Sequence, residues 1–126
     1  MSKSIVATEN APKAIGPYSQ AVAAGGLVFV SGQLPADPKT GDLAGPSVAA
    51  QTEASIANVA AILAASGCTL ADVVKTTVFM TDLGRFAEMN AVYAKHFTAD
   101  MPARACVQVA ALPRGAQVEI EAVAVK

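Results

Sequence analysis

The sequence predicts an α+β domain, a mixed six-stranded sheet with two helices on one face. Three observations predict it. Several short runs either alternate apolar and polar residues or are dense in β-branched side chains. Two longer stretches place apolar residues at helical spacing. The runs follow one another as β-β-β-α-β-α-β-β, an order in which strands and helices do not strictly alternate.

Ile5 to Thr8 is the first strand, followed by "APKAIGPYS", whose two prolines and glycine set an irregular loop that delivers Tyr18 to the next strand. Ser19 to Ala24 and Leu27 to Gln33 flank Gly25-Gly26, a dipeptide able to supply the positive φ angles of a two-residue hairpin turn. "PADPKTGDL" then makes an exposed turn. Ser47 to Ser66 predicts a helix, with Val48, Ile56, Val59, Ile62 and Leu63 on its apolar side, Pro46 before it and Gly67 as its stop. "VVKTTVFM", Val73 to Met80, reads as a central strand. A second helix from about Leu83 to Phe97 lines up Phe86, Asn90, Tyr93 and Phe97 by steps of four, three and four.

The final stretch, "PARACVQVAALPRGAQVEIEAVAV", holds two alternating strands, each with an apolar and a mixed face. On the first, Ala103, Ala105, Val107 and Val109 oppose Arg104, Cys106 and Gln108. On the second, Val118, Ile120, Ala122 and Ala124 oppose Gln117, Glu119, Glu121, Val123 and Val125. Two helices cover one sheet face and leave the other bare, so a closed homo-oligomer with sheets packed together is expected.

Composition narrows the function. The chain has 126 residues, room for one domain spanning 1–126, and is 53% hydrophobic but only 15% charged. Its net charge of −1 and scattered basic residues lack the patch that nucleic-acid binding needs. No apolar leader and no uncharged apolar run approaching ~18 residues is present, so a cytoplasmic protein without a membrane partner is expected. Cys68 and Cys106 are expected as reduced thiols, and no metal-ligand spacing is present.

Arg104 is either the partner of a structural carboxylate or an anchor for a substrate carboxylate, which a guanidinium grips with two parallel hydrogen bonds. Cys106 shares its face and is either packing or pocket lining. Glu119 and Glu121 fit equally a solvated face or a base beside a water. Tyr18 caps a pocket or plugs the sheet end, Ser31 and Gly32 end a strand where backbone can approach a small molecule, and Asn90 needs a partner on its apolar stripe. His96, the only histidine, sits near a helix end where the dipole explains it, and no His-based nucleophile system has support in spacing.

"AIGPYSQA", "VSGQLPADPKTG", "VVKTTVFMTDL" with "FAEMNAVYAKHF", and "PARACVQVAALPRGAQVEIEAVAV" together resemble the reactive intermediate deaminase family, the RidA or YjgF-like proteins, from about Ile5 to the C-terminus. The resemblance implies a chorismate-mutase-like fold assembled as a homotrimer with sites in clefts between subunits. It implies hydrolysis of 2-imino acids such as 2-iminopropanoate and 2-iminobutanoate to 2-oxo acids and ammonia, with no cofactor. By the family's motifs Arg104 binds the substrate carboxylate, Cys106 contacts the ligand through its backbone amide, Ala105 beside it is also substrate-binding, and Glu119 rather than Glu121 positions the water. Tyr18, Ser31, Gly32 and Asn90 fall on pocket-lining family positions. Two other classes fit the same clefts: a non-catalytic trimer that captures a small carboxylate for regulation, and a ribonuclease or translation inhibitor.

Overall fold

The computed structural model describes residues 2–126. Strands β1 (Ser4–Val6), β2 (Ala21–Ala24) and β3 (Leu27–Gln33) lead into helix α1 (Val48–Ala65), strand β4 (Val73–Met80), helix α2 (Phe86–His96), and strands β5 (Ala103–Gln108) and β6 (Val118–Val125). They form one six-stranded sheet in the order β1-β2-β3-β6-β4-β5. Only β4 and β5 run parallel, so the sheet is mixed as expected.

Gly25 and Gly26 take φ of 59° and 78°, which closes the β2–β3 hairpin with Ala24 opposite Leu27. Ser47 caps α1 by accepting a hydrogen bond from the Ala50 amide, and Gly67, at φ 80°, follows its end. The predicted start of the second helix is different: Leu83–Arg85 is a 3-10 turn, because Asp82 accepts from the Gly84 amide and tightens the chain before α2 begins.

Val28, Val30, Val78, Met80, Val118, Ile120, Ala122 and Ala124 meet Ile56, Val59, Ile62, Leu63, Met89 and Tyr93 in one core between the sheet and the two helices. α1 has the length and mean hydropathy, 1.3, of a membrane-crossing helix, but that apolar side is consumed by the core. Its buried polar residues hold neighbouring loops: Asn58 donates to the Leu34 and Ala36 carbonyls, and Gln51 donates to the Ala44 carbonyl while accepting from the Gln117 amide. These bonds set where β3 ends and β6 begins, which is where Gly32 and Glu119 lie.

The opposite sheet face is uncovered. Phe29, Val107 and Val125 are each more than 40% exposed there, and edge strand β5 is exposed along nearly its whole length.

Candidate functional site

Register decides which face each residue takes. Thr76 pairs with both Arg104 and Ala122, and Thr76 is buried against Tyr93 of α2, so Arg104 lies on the helix-covered face at the β5 edge. Phe79 pairs with Glu119, and Thr77 with Glu121 and Ala105, all on the uncovered face. Arg104 and Glu119 therefore lie on opposite faces of the same sheet. The mixed face of β5 is its helix side and the mixed face of β6 its open side. An edge strand beyond the centre of the helix layer can carry polar residues on the side a central strand must keep apolar.

Arg104 is exposed yet held. Its Nη1 donates to Asn90 Oδ1 at 2.7 Å, and its guanidinium carbon lies 4.7 Å from the Tyr93 ring centre and 5.4 Å from that of Phe86. The Tyr93 hydroxyl is in turn fixed to Thr76 Oγ1 at 2.8 Å, and its ring stacks on Phe97. Among the described residues no carboxylate pairs with Arg104. Its partners are an amide and two rings, which position a cation without neutralising it. Asn90 is occupied in holding Arg104. Cys106 packs beside it, and burial pushes its thiol up, against the smaller opposing pull of Arg104. A thiol raised in this way lacks the lowered acidity that marks a reactive cysteine. Ala105 points to the other face, and only its backbone can join this group.

The second group surrounds a cavity of about 650 Å³ lined by Tyr18, Ser31, Gly32, Glu119 and Glu121, with Lys13, Gln20 and Arg114. Gly32 makes room for Glu119: a Cβ there would sit 2.5 Å from the Glu119 Oε2. Loss of solvent raises the Glu119 carboxyl above its ordinary value, and the negative charge of Glu121 raises it further. The Ser31 hydroxyl donates to the Ser19 carbonyl at 2.6 Å and clasps the Tyr18 loop to β3. The Tyr18 hydroxyl accepts a long bond from the Ile15 amide and remains half exposed. A larger cleft of about 820 Å³ beside β1 shares Lys13, Tyr18 and Gln20 but holds neither Arg104 nor Glu119.

The sequence reading missed several supporting residues. Gln20 is buried and ties the 8–12 segment through the carbonyls of Thr8, Ala11 and Pro12 and the Thr8 amide. Glutamine at the start of a strand carries no signal of that role. Arg114, at φ 61°, donates to the Gly41 carbonyl and brings a second guanidinium to the cavity, and only the "LPRG" turn signal pointed to it. His96 pairs with Glu53 of α1, a cross-helix contact beyond the dipole explanation. Among the described residues no group of three or more His, Cys, Asp or Glu could hold a metal ion.

The family profile described as endoribonuclease L-PSP matches residues 8–126. The solved YjgF gene product of Escherichia coli superposes with a TM-score of 0.94 at 51% identity, covering 98% of each chain. The chain belongs to the RidA/YjgF family. A family relative from Salmonella typhimurium, named 2-iminobutanoate/2-iminopropanoate deaminase, is 55% identical over 129 aligned residues, covering 100% of this chain and 99% of its own. A second RidA/YjgF neighbour, Escherichia coli TdcF solved with bound serine, gives a TM-score of 0.94 at 48% identity over 98% of both chains.

Proposed function

We propose that this protein hydrolyses 2-imino acids such as 2-iminopropanoate and 2-iminobutanoate to 2-oxo acids and ammonia, protecting pyridoxal-phosphate-dependent enzymes in the cytoplasm. The observation that carries the reading is Arg104, a fixed guanidinium with no carboxylate of its own, in a chain 55% identical end to end to a named deaminase. We propose further that the site is shared between chains of a homotrimer. One sheet separates Arg104 from Glu119, so a substrate of a few atoms meets both only if they come from different copies. The exposed β5 edge and the bare face around Phe29 and Val107 supply surface for that contact.

The chemistry asks little of the protein. Arg104 grips the carboxylate and fixes C2, with Asn90, Tyr93 and Phe86 setting the fork and the outer edge of β5 near Ala105 and Cys106 offering outward-facing backbone groups without a strand partner. Glu119 holds the water against C2 and takes its proton as the C–O bond forms and the C=N π bond opens; that proton passes to nitrogen, and as the C–N bond breaks the hydroxyl proton follows it, leaving the 2-oxo carbonyl and ammonia. Tyr18, Ser31 and Gly32 wall the water side of the pocket.

A binding-only trimer would gain nothing from Glu119, since a carboxylate beside a carboxylate ligand repels it unless it serves a water or proton. A ribonuclease reading, which the family's description invites, lacks a basic stripe: nine Lys and Arg face ten Asp and Glu. The test is a threonine dehydratase reaction with semicarbazide present to trap free imine. Addition of this protein restores 2-oxobutanoate and reduces semicarbazone. An unchanged partition at enzyme levels comparable to the dehydratase returns the protein to the binding-only class.

A further inference from the structure

We propose that Glu121 is a positioning residue for the reaction, its charge acting on Glu119 across one face of β6 so that Glu119 can hold the proton it takes from the attacking water. The proposal rests on the deaminase reading and extends it to a residue that meets no substrate atom.

The two carboxylates are two residues apart on one strand, so they share the uncovered face at a spacing of about 7 Å. Both line the same cavity. Neither is in a salt bridge among the described residues, and the hydrogen-bond partner that would fix Glu121 elsewhere is absent there too. The Glu119 carboxylate lies against the β3 backbone at Gly32. Within one chain the cations that face the pair are Lys75 of β4, diagonal to Glu121 across a hollow of about 150 Å³, and Arg114 and Lys13 on the cavity wall; the Arg104 of a neighbouring copy in the proposed trimer acts on parent and Glu121 variants alike. Arg114 is turned to the Gly41 carbonyl. The like charge of Glu121 raises the Glu119 carboxyl on top of the larger effect of lost solvent, while none of the three cations contributes a comparable opposing pull.

The consequence is chemical. Glu119 must accept a proton from water and release it to nitrogen in every turnover, and a carboxylate of ordinary acidity is a weak base for the first step. A neighbouring negative charge strengthens the base without occupying the site.

The test uses the full-length protein. Neutral Glu121→Gln should move the acidic limb of the kcat/KM profile down by about 0.5–1 pH unit, the size of a like-charge interaction at this spacing in a half-solvated site. Glu121→Asp keeps the charge and should leave the limb within about 0.3 unit of the parent. An assembled Glu121→Gln protein with an unmoved limb overturns the proposal. Carbon-13 titration of the Glu119 carboxyl provides a readout independent of turnover. Its midpoint should be lower in Glu121→Gln than in the parent by the same interval as the limb. Identical Glu119 curves in the two proteins sink the proposal even if the chain has no deaminase activity, and if Glu121→Gln does not assemble, the same comparison with Glu121→Ser decides it.

Discussion

Arg104 illustrates how a side chain can be ordered without being satisfied. Asn90 takes one N–H, the rings of Tyr93 and Phe86 take its faces, and the remaining donors are left for an anion. Arg104→Ala should therefore lower kcat/KM by ~30-fold to several thousand-fold, the cost of truncating a charge pair formed with substrate. Arg104→Lys should recover little, because an ammonium cannot present the planar fork. The melting temperature of the Ala variant should fall only slightly, since truncation removes about 1 kcal/mol of cation–π attraction and strands no partner carboxylate. An active Arg104→Ala protein removes the anchor from the mechanism. Gly32 matters for a different reason. Its φ is ordinary, but a methyl group there meets the Glu119 carboxylate at 2.5 Å. Gly32→Ala should fold normally, because the tip of Glu119 can swing away, and lose about tenfold or more in kcat with little change in KM. A kcat within twofold of the parent would mean that Glu119 does not need its present position.

At the scale of elements, α2 and β5 work as a unit. The α2 stripe read from sequence has two functions: Tyr93 and Phe97 enter the core, while Phe86, Asn90 and the outer side of the Tyr93 ring carry Arg104. Met89, fully buried, completes the core side that the 86-90-93-97 spacing omits. Loosening this shelf should act on binding first. Asn90→Ala is expected to raise KM roughly tenfold and to lower kcat by less, since the guanidinium keeps its charge but loses one fixed donor. Steady-state kinetics on the purified variant check it, and a pure kcat effect would argue that Asn90 acts on the reacting atoms. α1 serves the other half of the site, its Gln51 and Asn58 fastening the segments that follow β3 and precede β6.

For the whole molecule, the separation of Arg104 from Glu119 by the sheet makes assembly part of the proposed site. Light scattering should return about three times the chain mass. A sharper measurement mixes two inactive variants, Arg104→Ala and Glu119→Gln, by joint denaturation and refolding. If each site takes Arg104 from one chain and Glu119 from the next, three quarters of random trimers hold one intact site in three, and about a quarter of parent activity returns. No recovery from mixed trimers would place both residues in a site built by one chain.

Strand and helix order, the Gly25-Gly26 turn and the ends of α1 were legible in the amino-acid sequence, because each is governed by local rules of period, backbone freedom and capping. So was the inequality of faces on β5 and β6. What local rules could not supply was which face of each strand looks inward. Alternation gives two faces and no direction; direction comes from register and from where the helices lie. Hence Arg104 and Glu119, both read as exceptions on a mixed face, are on opposite sides of the sheet. The close approach of Gly32 to Glu119, the shelf under Arg104 and the arrival of Arg114 beside the cavity join residues far apart in the chain. Such contacts are products of packing, and only the tertiary structure decides them.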